Sequence, residues 1–253
     1  MASGLGIESR IVRVEVGDDG GPEAAARGAR YGALRDAARD LGAVAVLLGH
    51  TLDDQAETVL LGLARGAGAA SLQGMAAASD LDGVPLLRPL LAVRRVTTRA
   101  ACAAAGLAVW DDPHNTDARF ARVRVRERVL PVLEIELGPG ISEALARTAE
   151  QLREDAEAFD DMIAETIEDI VEPAEAGIAV SMAALAANPP ALRHRIIRFV
   201  VRSEFHESLT RTQTLEVARL VTDYRGQGPI DLPGCRARRI DGRIEFTAAA
   251  HPA

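Results

Sequence analysis

The residues best placed to do chemistry are His50, Asp53, Asp54 and Glu57. They lie in the segment Gly-His-Thr-Leu-Asp-Asp-Gln-Ala-Glu-Thr at residues 49–58. Three carboxylates crowded beside an imidazole repel one another unless a cation or a basic partner compensates. A magnesium ion bound to a polyphosphate is one suitable ligand, because Mg²⁺ prefers hard oxygen ligands. A carboxylate here could also take a proton from an attacking amine.

A purely structural interpretation of the same residues is open as well. Asp54 precedes Glu57 by three residues, which fits the N-cap residue of a helix and its partner at the third helical position. Each side chain would then satisfy a backbone N–H that the helix leaves unpaired. The spacing alone does not decide between a cap and a site.

The elements around this segment favour a site. Residues 43–48 form a continuous apolar run, which predicts a strand buried on both faces of a parallel sheet. Residues 59–65 have helical character. The polar residues therefore lie where the carboxyl end of a strand turns into a helix, and open α/β sheets bind ligands at that edge.

The rest of the N-terminal half continues this alternation. Residues 10–16 alternate and are rich in valine, which predicts a strand. We also expect a helix over 24–41, a strand or extended segment over 84–91 and a helix over 93–105. A helix is favoured over 120–137, although the alternation Arg-Val-Arg-Val-Arg within it would also suit a strand. This order predicts a parallel α/β domain.

A break at Gly138-Pro139-Gly140 suggests a domain boundary, giving domains at residues 1–137 and 138–253. The second domain is expected to be mainly helical, with a long helix over 141–171 and further helices over 191–205 and 212–224. Short strands are predicted at 229–232, 236–240 and 243–246. The last two are joined at Asp241-Gly242, which is typical of a hairpin.

Composition describes an ordinary globular chain of 253 residues, 48% apolar and 26% charged. It contains no run of about 18 apolar residues that would predict a membrane span. Cys102 and Cys235 are far apart, so the sequence supports no metal or disulfide framework, and a cytoplasmic location is expected. The net charge of −8 argues against a uniformly basic surface, but residues 119–128 hold five arginines against one glutamate.

Six motifs, in order, carry a family resemblance. They are Glu-x-x-Ala-Arg-x-x-Arg-Tyr (23–31), Gly-His-x-x-Asp-Asp-Gln-Ala-Glu-Thr (49–58), Arg-Gly-Ala-Gly (65–68), Arg-Pro-Leu-Leu (88–91), Asp-Pro-x-Asn-x-Asp (112–117) and Arg-x-Arg-x-Arg closing on Leu-Pro-x-Leu (122–133). Together they resemble the bacterial tRNA(Ile)-lysidine synthetases of the PP-loop ATP pyrophosphatase group. The resemblance covers residues 10–136 and continues more weakly beyond them.

The resemblance implies a partial parallel-sheet domain of the adenine nucleotide alpha hydrolase-like (PP-loop) fold. Such enzymes are tRNA-modifying ligases that use ATP and Mg²⁺ to adenylate C2 of the wobble cytidine in tRNA(Ile) with a CAU anticodon. The ε-amine of L-lysine then displaces AMP, and the resulting lysidine makes the tRNA read AUA instead of AUG. No membrane partner is implied, and the oligomeric state stays open, with a homodimer as one option.

The resemblance also implies roles for individual residues. Catalytic roles fall on His50, Asp53, Asp54 and Glu57, with Asp54 as a magnesium ligand. Substrate- or tRNA-binding roles fall on Arg27, Arg30, Arg65, Asn115, Arg122, Arg124 and Arg126. A solvated cationic face is the alternative for the last three arginines. The same alternative applies to Arg195, Arg198 and Arg202, which share a helix face and would otherwise contact a tRNA stem.

Two departures from the family pattern bear on activity. The Ser-Gly-Gly-x-Asp-Ser loop that binds pyrophosphate does not occur in the sequence, and Val123 stands where the family usually carries Asn. We therefore expect the N-terminal part of the catalytic domain to be missing and the chain as given to bind ATP poorly, and an inactive chain is an alternative to the ligase. The alternatives are a non-catalytic tRNA-binding remnant and another PP-loop tRNA-modifying enzyme; a 2-thiocytidine synthase would need a Cys-x-x-Cys pair that this chain lacks.

Overall fold

The computed structural model describes residues 4, 6–17, 21–66, 68–174 and 177–249. The chain divides into two compact units, Met1–Glu154 and Asp155–Ala253. Each unit is built around its own sheet. Among the described residues, no helix is both long enough and apolar enough to cross a membrane.

The first unit alternates helices with short strands. Its elements in chain order are α1 (Pro22–Asp40), β1 (Val46–Leu47), α2 (Leu52–Ala64), α3 (Ala69–Leu72), β2 (Ala78–Leu81), β3 (Val84–Leu87), α4 (Arg95–Ala104), a 3₁₀ turn (Pro113–Thr116), α5 (Ala121–Arg124), a π-helical turn (Val125–Val129), α6 (Leu130–Glu136) and the start of α7 (Ile141–Ile170). The helices predicted over 24–41 and 93–105 are confirmed as α1 and α4.

The sheet of the first unit has the order β1-β3-β2. Strand β1 pairs with β3 in parallel, and β2 pairs with β3 in antiparallel fashion. The prediction of a strand buried on both faces at 43–48 is wrong, because Val44 is 90% exposed and Leu47 is 65% exposed. Strand β1 is only two residues long and lies at the edge of the described sheet, so it has a neighbouring strand on one side alone.

The strand predicted at residues 10–16 is also wrong. These residues form no regular element, and Val12, Val14 and Val16 are between 40% and 51% exposed. A strand needs a hydrogen-bonded neighbour as well as the right alternation, and the described part of the chain provides none at these residues.

The β2–β3 hairpin escaped the sequence analysis, although a signal for it is present. Its two connecting residues, Asp82 and Gly83, both have positive φ angles, of 51° and 87°. An Asp-Gly pair between two strands favours this turn, because the right-handed twist of a hairpin requires left-handed backbone at both positions.

The helix favoured over 120–137 is confirmed, with one interruption. Residues Val125–Val129 form a π-helical turn between α5 and α6. Pro131 follows at the start of α6 and has no N–H to donate back to residue 127. Local widening of the helix at a proline accommodates the missing bond, and such turns are frequent at functional sites.

The second unit contains the end of α7 and a five-stranded antiparallel sheet with the order β4-β5-β8-β7-β6. Its elements are β4 (Val171–Ala174), β5 (Gly177–Ser181), α8 (Met182–Ala187), α9 (Pro190–Phe205), α10 (Arg211–Thr222), β6 (Ile230–Leu232), β7 (Cys235–Ile240) and β8 (Arg243–Ala248). The long helix, both shorter helices and the Asp241-Gly242 hairpin are confirmed.

The description of this unit as mainly helical with a small hairpin is too narrow. The hairpin is the centre of a larger sheet, because β5 pairs with β8 and β4 with β5. Helices α9 and α10 bury Ile197, Val201, Val217 and Leu220 completely, in one core with Phe246 of the sheet. The strands β4 and β5 went unrecognised because they are short and follow a long helix without a strong break.

We expect Ile244→Ala to destabilise the second unit far more than Ile240→Ala. Ile244 is fully buried, whereas Ile240 on the paired strand is 39% exposed. The buried truncation should cost about 2–5 kcal/mol of unfolding free energy, because it leaves a cavity, and the exposed one about 1 kcal/mol or less. Urea unfolding followed by circular dichroism measures both. Equal losses would contradict the burial of this sheet face.

Candidate active site

The polar segment begins α2, and its first residues form a cap. Thr51 is the N-cap residue, and the Asp54 carboxylate accepts hydrogen bonds from the Thr51 backbone N–H (2.8 Å) and hydroxyl (2.7 Å) through Oδ2. The cap predicted at Asp54 with Glu57 as its partner is therefore wrong by three residues. Asp54 occupies the partner position, which leaves Glu57 free for another role.

Glu57 lies one turn further along α2 and is completely buried. Arg126 donates to both of its oxygens, from Nε at 2.7 Å and from a terminal nitrogen at 3.0 Å. Arg95 donates to Oε1 at 3.3–3.4 Å, and Nε of Arg122 lies 3.6 Å from Oε2. A buried carboxylate needs this kind of compensation, because an unpaired charge is very costly away from water.

The basic partners at the start of α4 were missed by the sequence analysis. The backbone N–H of Arg95 donates to Asp53 Oδ2 at 2.7 Å, and its guanidinium donates to Asp54 Oδ1 at 2.8 Å. Arg94 lies 3.3 Å from the other oxygen of Asp53. The Arg94-Arg95 pair after an apolar stretch was the available signal, because crowded carboxylates call for basic neighbours.

Hydrogen bonds and neighbouring charges set the protonation of Asp54. Burial alone would raise the pKa of Asp54, but two hydrogen bonds from Thr51 and the charges of Arg95 and Arg122 hold it below its usual range. Burial would likewise lower the pKa of Arg126, but its pairing with Glu57 raises it. Asp54 is therefore an ionised acceptor and a weak base.

His50 has a different environment. It lies between β1 and α2, and its Nδ1 is buried without a hydrogen-bond partner among the described residues. Burial lowers the pKa of His50; Asp54 opposes this, and the charges of Arg88, Arg122 and Arg27 add to it. The imidazole is thus neutral at pH 7 and can accept a proton.

The residues around Asp54 do not fit a magnesium ion. Both of its oxygens already accept hydrogen bonds from Thr51 and Arg95. Four arginines surround the three carboxylates, so the cluster carries no excess of negative charge. Nor does the described part of the chain contain any group of three His, Cys, Asp or Glu side chains arranged to hold a metal.

A cleft of about 670 Å³ lies beside the cluster and brings Arg27, Arg65 and Arg122 together. Two glycines form part of its wall. A Cβ on Gly62 would lie 2.5 Å from the carbonyl oxygen of Ser71, and Gly74 has a φ of 60°. We name this space, lined by three cationic side chains, the arginine cleft; it suits an anionic ligand.

Glu57 borders a smaller cavity of about 160 Å³. It is lined by Asp53, Glu57, Arg94, Arg95, Arg126, Leu130, Pro131, Glu134 and Ser142. Carboxylates and guanidinium groups both line it, so it offers partners to a ligand that carries charges of both signs. Glu57 thus lies in the wall of this cavity, and three arginines hold it there; one of them, Arg122, also lines the arginine cleft.

Three of the predicted binding residues lie apart from these spaces. Arg30 is exposed and stacks on Tyr31 at 5.6 Å, and Asn115 is exposed in the 3₁₀ turn. Arg124 donates to the carbonyls of Ala118 and Arg119 on the outer side of α5. In a helix, residues 122 and 126 share a face while 124 points elsewhere, so the three arginines do not act on one ligand.

Comparisons with known proteins identify the family. Residues 1–133 match a family model described as a PP-loop domain, and residues 181–245 match one described as the TilS substrate binding domain. A tRNA(Ile)-lysidine synthase from Leifsonia xyli subsp. xyli is 57% identical over 248 residues, 97% of this chain and 74% of that protein. The chain belongs to the tRNA(Ile)-lysidine synthase family. The family consists of ATP-dependent ligases that modify tRNA.

Other lysidine synthases give the same result. The one from Streptomyces coelicolor is 53% identical and covers 91% of this chain, which spans 65% of that relative. The lysidine synthase from Thermobifida fusca is 49% identical. The matched region covers 94% of this chain and 72% of that relative. A solved structure of the U34-tRNA thiolase NcsA from Methanococcus maripaludis matches with a TM-score of 0.50 and 20% identity. The matched region covers 60% of this chain and 53% of the thiolase chain. This likeness shows the PP-loop fold alone.

We expect Glu57→Gln to destabilise this lysidine synthase family member. The neutral amide leaves three arginines without their buried counter-charge, so the free energy of unfolding should fall by about 3–5 kcal/mol. Glu127→Gln removes an exposed carboxylate nearby and should change it by about 0.5 kcal/mol or less. Thermal and urea unfolding measure both, and similar values for the two variants would show that the arginine pairs contribute little.

His50 should make stability fall in mild acid. Its pKa is about 6.5 in the unfolded chain and lower in the folded one, so the unfolded state takes up the proton first as the pH drops below 6.5. The free energy of unfolding should therefore decrease from pH 7 to pH 5, and His50→Gln should remove part of that decrease. His194 shifts in the same direction, so the difference between wild type and variant isolates His50. Identical pH slopes would contradict a buried, neutral imidazole.

Proposed function

We propose that this chain attaches L-lysine to C2 of the wobble cytidine in tRNA(Ile) with a CAU anticodon, in an ATP-dependent reaction through an adenylated intermediate. The modified tRNA then reads AUA instead of AUG. The observation that carries the proposal is the placement of Glu57. It fixes Arg122 beside the arginine cleft while itself lying in the wall of the smaller cavity.

In this proposal the arginine cleft takes the phosphates of ATP. Adenylation places negative charge on the departing pyrophosphate, and fixed guanidinium groups stabilise charge that develops at a known position. Arg27 and Arg65 approach from α1 and from the end of α2, and Arg122 approaches from α5. Arg122 is also held by Thr58, whose hydroxyl accepts from it at 2.9 Å.

The smaller cavity is our proposed lysine site. Free lysine carries one carboxylate and two ammonium groups, and this cavity offers Arg94 and Glu134 among its charged walls. We assign Glu57 the role of a positioning residue, because its buried carboxylate is occupied by arginines. The ammonium must lose a proton before it attacks.

The decisive experiment measures ATP-dependent incorporation of radiolabelled lysine into a tRNA(Ile) transcript with a CAU anticodon. A transcript with uridine at the wobble position is the matched control. The Leifsonia xyli relative is assayed in parallel. We expect label in the CAU transcript alone, and only when ATP is present. If the relative labels the tRNA and this chain only binds it, the proposal fails and a tRNA-binding role without catalysis replaces it.

Arg65→Gln should lower the rate of lysine incorporation, because one cation of the arginine cleft is lost. A hydrogen bond to a charged group contributes about 1.5–3 kcal/mol, which corresponds to roughly a 10- to 100-fold loss in kcat/KM. Arg39→Gln, on α1 and exposed, removes the same charge outside the cleft and should change the rate less than about twofold. Equal effects of the two variants would contradict phosphate binding in the cleft.

A further inference from the structure

A third space in the first unit, with a volume of about 690 Å³, has no role in the proposed function. Its walls come from the start of α2, the β2–β3 hairpin, the residues that follow β3, and the first half of α7. The apolar part of these walls is formed by Leu52, Leu87, Pro89 and Leu91. We name this space the apolar cavity. Its volume is typical of sites that bind small molecules.

The apolar cavity is separate from the two spaces described above. None of the described residues that line it also lines the arginine cleft or the smaller cavity. Successive residues of a helix are rotated by roughly 100°. Leu52 and Gln55 of α2 therefore face away from Asp53 and Glu57, which line the smaller cavity. A ligand in the apolar cavity occupies neither the phosphate site nor the lysine site that we propose.

One charged side chain in the wall of the apolar cavity is buried without a counter-charge. Arg88 is only 7% exposed, and it forms no ion pair with a described residue. One of its terminal nitrogens donates to the carbonyl oxygen of Ala76 at 2.7 Å and to the hydroxyl of Ser79 at 3.2 Å. Its Nε is buried and has no hydrogen-bond partner among the described residues. A buried guanidinium without an anion is costly, so an anionic ligand beside Arg88 would stabilise this wall.

The other charges of the wall favour an anion as well. Arg147 and Arg153 line the apolar cavity from α7, and neither forms an ion pair with a described residue. Arg153 donates instead to the carbonyl oxygen of Met75 at 2.8 Å. Of the two carboxylates in the wall, that of Glu143 already accepts from Arg94 at 2.7 Å. Guanidinium groups thus outnumber carboxylates, and the field in the cavity attracts negative charge.

We propose that the apolar cavity binds a small molecule that has an apolar body and one carboxylate, and that Arg88 holds the carboxylate. The apolar walls favour the body of the ligand, because binding removes its surface from water. A guanidinium donates charge-assisted hydrogen bonds to a carboxylate, and these are stronger than hydrogen bonds to a neutral hydroxyl. The inference is independent of the proposed function, since it requires neither ATP nor tRNA.

The test is isothermal titration calorimetry of the full chain with octanoate and with 1-octanol, which has the same apolar body but no charge. We expect octanoate to bind roughly tenfold more tightly than 1-octanol. Arg88→Gln should reduce the affinity for octanoate to that for 1-octanol. Arg39→Gln removes the same charge from an exposed position on α1 and should change neither affinity. Equal affinities of the wild-type chain for the two probes, or no binding of octanoate, would overturn the proposal.

A second variant leaves Arg88 in place and decides the question if Arg88→Gln does not fold. Ala146 lines the apolar cavity from α7, so Ala146→Phe should narrow it and weaken octanoate binding roughly tenfold. An unchanged affinity would place the probe elsewhere and contradict the proposal.

Competition separates this site from the proposed lysine site. We expect the affinity for octanoate to stay the same in the presence of saturating L-lysine. Displacement of octanoate by lysine would show that the probe binds in the smaller cavity, and the separate site would be wrong. The proposed function is decided by lysine incorporation into tRNA, so either proposal can fail while the other stands.

Discussion

The structure of the first unit depends on one buried charge. Glu57 is fully removed from water, and its carboxylate is shared by Arg95, Arg122 and Arg126. These arginines come from α4, α5 and the π-helical turn, so a single side chain of α2 ties together three segments that are distant in sequence. Removing one partner from such a group is costly, which makes the arrangement rigid rather than merely stable.

That rigidity explains how the polar segment can serve chemistry without being its reacting group. Asp54 closes the helix cap and pairs with Arg95, and Glu57 sets the direction of Arg122. The side chains that face a space large enough for a ligand are the arginines of the cleft. Carboxylates that look catalytic in the sequence are, in our proposal, the supports that hold cationic groups in a fixed geometry.

The second unit, unlike the first, is held together by an apolar core rather than by a buried charge. That core lies between α9, α10 and the five-stranded sheet. On the outer face of α9, Arg195 and Arg202 stack on Phe159 and Phe199. Arg193 shows the contrast on the same helix. It is buried and donates to the carbonyls of Leu185, Ala186 and Asn188 at the end of α8. Arg198, five residues later, is exposed.

Sequence patterns determined the elements whose signals are local. The periodicity of α1, α4, α7, α9 and α10 and the Asp-Gly turn of the last hairpin depend on neighbouring residues, so they could be predicted. The family was also recognisable, because six motifs in order are specific even when each is weak. By contrast, residues 10–16 alternate like a strand but pair with no described strand. Strand β5 depends on the edge of β8, and β4 depends in turn on the edge of β5.

Tertiary structure alone decided the character of the site. The sequence indicated that three carboxylates needed a basic partner, but not that Arg94 and Arg95, some forty residues away, would supply it. It grouped Arg122, Arg124 and Arg126 by alternation, whereas a helical backbone directs the first and third inward and the second outward. Partners that meet across the fold are set by packing and burial, and these depend on contacts between residues far apart in the chain.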